Sequence, residues 1–87
     1  MDIIYTSKFE REYRKLPSKI KAEAEEKERI FRNDPFDPIL KTHKLHGKLK
    51  DFSAFSINYK YRIIFEISDD KSFSYFHSVS DHDAYKG

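Results

Sequence analysis

From residue 59 to residue 67 an apolar side chain falls on every second position: Tyr59, Tyr61, Ile63, Phe65 and Ile67, with Lys60, Arg62, Ile64 and Glu66 between them. That period belongs to an extended strand with one apolar face. Such a strand has to lay its apolar row against a second layer. The residues before it supply one. Phe9, Tyr13 and Leu16 recur at helical spacing, and Ser7 followed by Glu10 has the spacing of a capping box. Pro17 ends that helix, and Ser18 can cap a second one. There Ile20, Ala24, Lys27 and Phe31 share a stripe, while Lys19, Glu23, Glu26 and Arg29 face water. Asn33-Asp34-Pro35 stops it. A connection as short as Pro17-Ser18 predicts an antiparallel helical hairpin.

The remaining segments read as strands and turns. Residues 2–5 are short and apolar, consistent with a first strand. Pro35, Phe36 and Pro38 form an irregular connection to Leu40. Phe55 and Ile57 alternate with polar neighbours, Asp69-Asp70-Lys71 is a turn, and Phe73, Tyr75, His77 and Val79 make a last strand. The expectation is an α+β domain of order β-α-α-β-β-β, with the hairpin on one face of a small, mostly antiparallel sheet. One domain spans residues 1–87. A chain of that length buries only about 60–65% of its unfolded surface. Eight Phe and six Tyr compensate by their size. There is no cysteine, which excludes a disulfide scaffold and a thiolate zinc site. No apolar run has the length of a membrane span and no signal peptide is evident, so a soluble, cytoplasmic protein is expected.

Charge is informative in its distribution. The formal net charge is only +2, but residues 41–50 carry Lys41, His43, Lys44, His46, Lys48 and Lys50 with no acid. Taken alone this is a solvated loop; beside a reactive cluster it would concentrate a polyanion. Such a cluster stands at the end of the chain, Ser80-Asp81-His82-Asp83-Ala84-Tyr85. Two flanking carboxylates favour the protonated imidazole of His82, which suits a proton donor. Arg62 projects from the strand face opposite Tyr61, Ile63 and Phe65, where it either meets a ligand or pairs with Glu66. His43 and His46 make no metal set with His82, because no carboxylate falls at a ligand spacing between them, and no cofactor is expected. His77 reads as a half-buried strand residue, and Tyr59 with Tyr61 as core.

The order of elements, with Leu45-His46-Gly47-Lys48-Leu49, Phe55-Ser56-Ile57, Tyr61-Arg62-Ile63-Ile64-Phe65 and His82-Asp83-Ala84-Tyr85, resembles the RelE/ParE toxin superfamily of bacterial and archaeal toxin–antitoxin modules. The similarity runs over essentially the whole chain. It implies an RNA-cleaving site on the sheet's open face, used without a metal on mRNA in the ribosomal A site. The 2′-hydroxyl attacks the neighbouring phosphate and leaves a 2′,3′-cyclic end. It also implies a cognate antitoxin that wraps the toxin, and a free chain expected to be a monomer. Carried over, Arg62 falls at the phosphate-binding arginine, His82 at the terminal acid, and Tyr85 near the terminal aromatic that holds the nucleotide. Lys44, Lys48 and Lys50 lie on the basic approach, and Lys60 joins them as an RNA-binding residue.

Two departures matter. Many active members carry arginine or histidine at the end of strand two, where this chain has Phe55 and Ser56. The general base has no certain match, and Lys60, Glu66 and Lys50 are the candidates. The chemistry needs proton removal from the 2′-hydroxyl, charge stabilisation on the phosphate, and a proton for the departing 5′-oxygen. Arg62 suits the second, since a guanidinium binds two phosphate oxygens at once, and His82 suits the third. Tyr85 either stacks on a base or anchors the tail. Two other readings stay open: a ParE-like gyrase inhibitor without nuclease activity, and an inactive relative that only binds its antitoxin.

Overall fold

β4 (Tyr61–Ile67) is the middle of five strands in the computed structural model, which describes residues 1–81. It pairs antiparallel with β5 (Phe73–Asp81) on one side and with β3 (Ser53–Ser56) on the other. β1 (Asp2–Tyr5) joins β5 in the parallel sense, and β2 (His43–Lys44) joins β3 antiparallel, giving the order β1-β5-β4-β3-β2. α1 (Ser7–Arg14) and α2 (Ser18–Asn33) cover one face. The expected α+β architecture forms. Its addition is β2, two residues within the basic segment that carry no apolar alternation to announce a strand.

The apolar row of β4 behaves as its period requires. Ile63 and Phe65 pack with Phe76 and Val79 of β5, Phe55 of β3, and Phe9, Ala24, Phe31 and Leu40 from the covering layer. Phe31 is the hub. It stacks on Phe55 at 5.0 Å between ring centroids and stands edge-on to Phe65 and Phe76 at 4.9 and 5.1 Å. The opposite face is not bare. Leu45, Ala54 and Ile64 are buried there, with Leu49 and Phe52 packed against them. The basic segment folds back over this outer face, held by Leu45 N–H to the Phe52 carbonyl (3.0 Å) and Phe52 N–H to the Leu49 carbonyl (2.9 Å). Gly47, at φ +67°, opens the 3-10 turn Gly47–Leu49 that lets it do so.

Several local expectations are corrected. The cap of α1 is Thr6, not Ser7: its extended backbone (φ −73°, ψ 161°) lets the hydroxyl accept from Phe9 N–H at 3.0 Å. Pro17, not Ser18, holds the cap position of α2 and makes no side-chain bond there. Tyr59 is 88% exposed rather than core. Asn58 Oδ1 accepts from Lys60 N–H (2.8 Å) and Tyr61 N–H (2.9 Å), so the chain turns before the strand begins. Tyr61 does pack against the core. Finally, β5 carries one residue more than its partner. Phe65 faces Phe76 while Ile64 faces Ser78, so Phe76 and Val79, three apart, both point at the helices, and His77 leaves the expected Tyr75–His77–Val79 row.

Candidate functional site

The register places Arg62 of β4 between Ser56 of β3 and Ser80 of β5, with Tyr61 opposite Asp81, the last described residue. Alternation puts Arg62 on the same outer face as Ile64. Its guanidinium is half-buried, and Nη1 donates to the Asn58 carbonyl at 2.7 Å and to the Tyr61 carbonyl at 3.3 Å. The turn that Asn58 builds therefore also steers the arginine. The alternative pairing with Glu66 does not form, because Glu66 Oε1 meets His77 Nε2 at 3.2 Å instead. Lys60 lies at the same end of the ribbon, its Nζ 3.8 Å from an Asp81 carboxylate oxygen. Arg62 and Ser80 thus share the outer face, whereas Lys60 turns to Asp81 and lies over the Tyr61 ring (5.7 Å), on the face that packs against the helices. His82 and Tyr85 lie outside the described residues.

The other basic residues stand apart from this group. Lys44 on β2 pairs with Ser53, which pairs with Phe65, three rows from Arg62 and two strands away. That is roughly 10 Å along the strands and about 10 Å across them. Lys48 and Lys50 sit exposed in and just after the 3-10 turn over the outer face. Phe55 is fully buried and Ser56 nearly so, and neither brings a cation to the end of β3. Of the three general-base candidates, Lys60 is nearest Arg62 along the chain, but its ammonium turns to Asp81 and the Tyr61 ring. Glu66 is four residues along β4, about 13 Å away. His43 is exposed, with Nδ1 3.1 Å from the Lys41 carbonyl. Among the described residues no group of three His, Asp or Glu side chains gathers as metal ligands.

Between these groups the outer face holds a hollow of about 420 Å³. Ile64, Leu49 and Phe52 give it an apolar floor; Ser78, Ser80 and His77 line it from β5, and Thr6, Lys8 and Glu12 from α1. The helix reaches the site because β1 pairs only with the first half of β5. Beyond Phe76, α1 takes over that free edge. Thr6 Oγ1 donates to the His77 carbonyl (3.0 Å), while Glu12 Oε1 accepts from Val79 N–H (3.0 Å) and from Ser78 Oγ (2.9 Å). Lys8 Nζ bridges Glu12 Oε2 (2.8 Å) and Ser78 Oγ (3.0 Å). Burial disfavours the Glu12 carboxylate, but the bonds from Lys8, Val79 and Ser78 outweigh it and hold its pKa below the ordinary 4.5. The Lys8–Glu12 spacing is visible in the sequence as an i,i+4 pair, yet nothing there says that the pair faces a strand edge.

No protein-family model matches the sequence, and no curated protein matches it. Solved structures do. YafQ from E. coli strain BL21(DE3) superposes with a TM-score of 0.80 at 18% identity, over 99% of this chain and 98% of that one. A YoeB/ParE toxin from Agrobacterium tumefaciens gives 0.80 at 15% identity, over 94% and 99%. The toxin–antitoxin complex RelBE2 from Mycobacterium tuberculosis gives 0.77 at 20% identity, over 92% and 95%. Similarity at this level, over nearly the full length of both partners, establishes architecture. The chain has the fold of the RelE/ParE toxin superfamily.

Proposed function

We propose that this chain is the toxin of a type II toxin–antitoxin module and acts as an endoribonuclease on mRNA, in the ribosome, by 2′-hydroxyl attack. The observation that carries this reading is the placement of Arg62. It stands on the sheet face that the helices leave uncovered, one row from the point where β5 leads into His82-Asp83-Ala84-Tyr85. In this reading Arg62 binds the scissile phosphate and His82 gives a proton to the departing 5′-oxygen. Tyr85 holds the nucleotide, Lys60 supplies positive charge at the same end of the ribbon, and Lys44, Lys48 and Lys50 draw in the RNA backbone. The reaction carries its own nucleophile, so no metal or cofactor is assigned. Some of the similar solved structures are toxin–antitoxin complexes, among them DinJ–YafQ and RelBE2, and a cognate antitoxin is proposed as the partner here.

The test is cleavage of mRNA on programmed ribosomes with analysis of the new ends. The proposal expects 2′,3′-cyclic phosphate and 5′-hydroxyl termini, and a fall of roughly 10²-fold or more for His82→Ala, the scale of a lost general acid. Unchanged cleavage by that variant would remove His82 from the mechanism. One observation favours a second reading. Phe55 and Ser56 are both buried, leaving the end of β3 without the arginine or histidine that the family resemblance implies for an active member. An inactive relative that only binds its antitoxin fits that feature, and overexpression without growth arrest would select it.

A further inference from the structure

We infer that the hollow over Ile64, Phe52, His77 and Ser78 receives a single nucleobase, that of the nucleotide whose phosphate sits at Arg62. This rests on the RNA reading of the outer face and adds to it a base-recognition site built by α1.

Position comes first. Ile64 follows Arg62 by two residues on the same face, about 7 Å along the strand, and its partner Ser78 stands in the same relation to Ser80. The Arg62 guanidinium turns to the Asn58 side of that row and does not itself line the hollow, so a phosphate held there leaves about the length of one ribose between it and the apolar floor. The hollow, about 420 Å³, is large enough for a small planar ligand. Its chemistry suits a base: Ile64, Leu49 and Phe52 offer an apolar surface for a flat ring, and Ser78, Lys8 and Glu12 bring polar groups beside it. Phe52 is half-exposed and held at one side by His77, which stands edge-on to it at 4.7 Å. An aromatic ring fixed in this way offers a stacking surface for any base.

The rim carries the selective part. Lys8 Nζ is a donor and Glu12 Oε2 an acceptor, 2.8 Å apart. The bonds of Ser78 and Val79 to Glu12 fix the carboxylate against the strand, so the pair is set before a ligand arrives. Every Watson–Crick base edge sets an acceptor next to a donor, in one order on adenine and cytosine and in the other on guanine and uracil, so a fixed donor–acceptor pair can tell the two sets apart. The pair is neutral overall and so has no attraction for a phosphate as such. The anion goes to Arg62, and the base edge goes to Lys8 and Glu12.

The experiment is titration of the isotope-labelled chain with the four ribonucleoside 5′-monophosphates and with ribose 5-phosphate, followed by amide NMR. The expected result is that base-bearing ligands shift the signals of Phe52, Ile64, His77 and Ser78, whereas ribose 5-phosphate does not. Phe52→Ala should weaken mononucleotide binding roughly tenfold or more, the scale of a lost stacking partner. Lys8→Ala, an exposed change that leaves the core intact, should alter the order of affinity among the four bases. Equal shifts from ribose 5-phosphate, or an unchanged order of bases in Lys8→Ala, would overturn the inference. Base-dependent binding without RNA cleavage would uphold the pocket and sink the nuclease reading. Cleavage without base-dependent shifts at these four residues would do the reverse.

Discussion

Thr6 joins two elements through one hydroxyl, which accepts from Phe9 N–H and donates to the His77 carbonyl, each at 3.0 Å. Removing a cap of this kind costs about 1–2 kcal/mol, and Thr6→Ala should lower the free energy of urea unfolding by that amount. A fall no larger than the noise of the fit would show that the hydroxyl is not the link. Ser7 and Thr6 are both good caps on paper, and only the end point of β1 decides between them. Tyr59 illustrates the same limit. It continues the alternation of β4, yet the Asn58 side chain holds the chain in a turn until the strand begins at Tyr61, two residues later, and the ring is left in water. Phe31 was legible, because its helical stripe and its size leave it nowhere else to go. Phe31→Ala should cost about 3–5 kcal/mol, read by the same unfolding measurement.

Among the elements, β4 and both helices follow from period alone, whereas β2 and the register of β5 do not. β2 forms because the backbone of His43 and Lys44 finds an unpaired edge on β3, a tertiary fact invisible in a two-residue polar segment. The extra residue in β5 reassigns His77 to the outer face beside Glu66 and Phe52, which no alternation count anticipates. The turn between β4 and β5 is marked in the sequence by Asp69-Asp70-Lys71, and its chemistry lies in Asp70. That carboxylate accepts from Ser72 Oγ (2.7 Å), Ser72 N–H (3.0 Å) and Ser68 Oγ (2.8 Å), which hold its pKa down to about 2. A depressed pKa stabilises the fold above the ordinary value of 3.8, and that support is lost as pH falls from there toward 2. The Ser72 amide should therefore lose protection, measured against its intrinsic exchange rate at each pH, over that window in native protein. Loss of protection already at pH 5–6 would place the titrating group elsewhere.

For the whole molecule, the outer face is where the chain's unspent chemistry meets. Arg62, the hollow and the exposed Lys48 and Lys50 share it, while the helices cover the other side and only the edge of α1 reaches the hollow. Arg62 and the basic strip were readable because alternation and charge runs are local properties. The α1 contribution was not, since Lys8 and Glu12 reach the sheet only through the free edge that short β1 leaves on β5. If the lysines meet RNA backbone, affinity for single-stranded RNA should fall steeply between 50 and 200 mM salt, by about one decade or more for a handful of neutralised phosphates. An affinity independent of ionic strength would leave the strip as solvated surface. The most direct measurement of the central claim compares Arg62→Ala, His82→Ala and the double variant in mRNA cleavage on programmed ribosomes. Two groups acting on one phosphate are expected to lose about 10²-fold each, with a double variant far less impaired than the product of the two. Losses that multiply, or a single variant that cleaves like wild type, would contradict it.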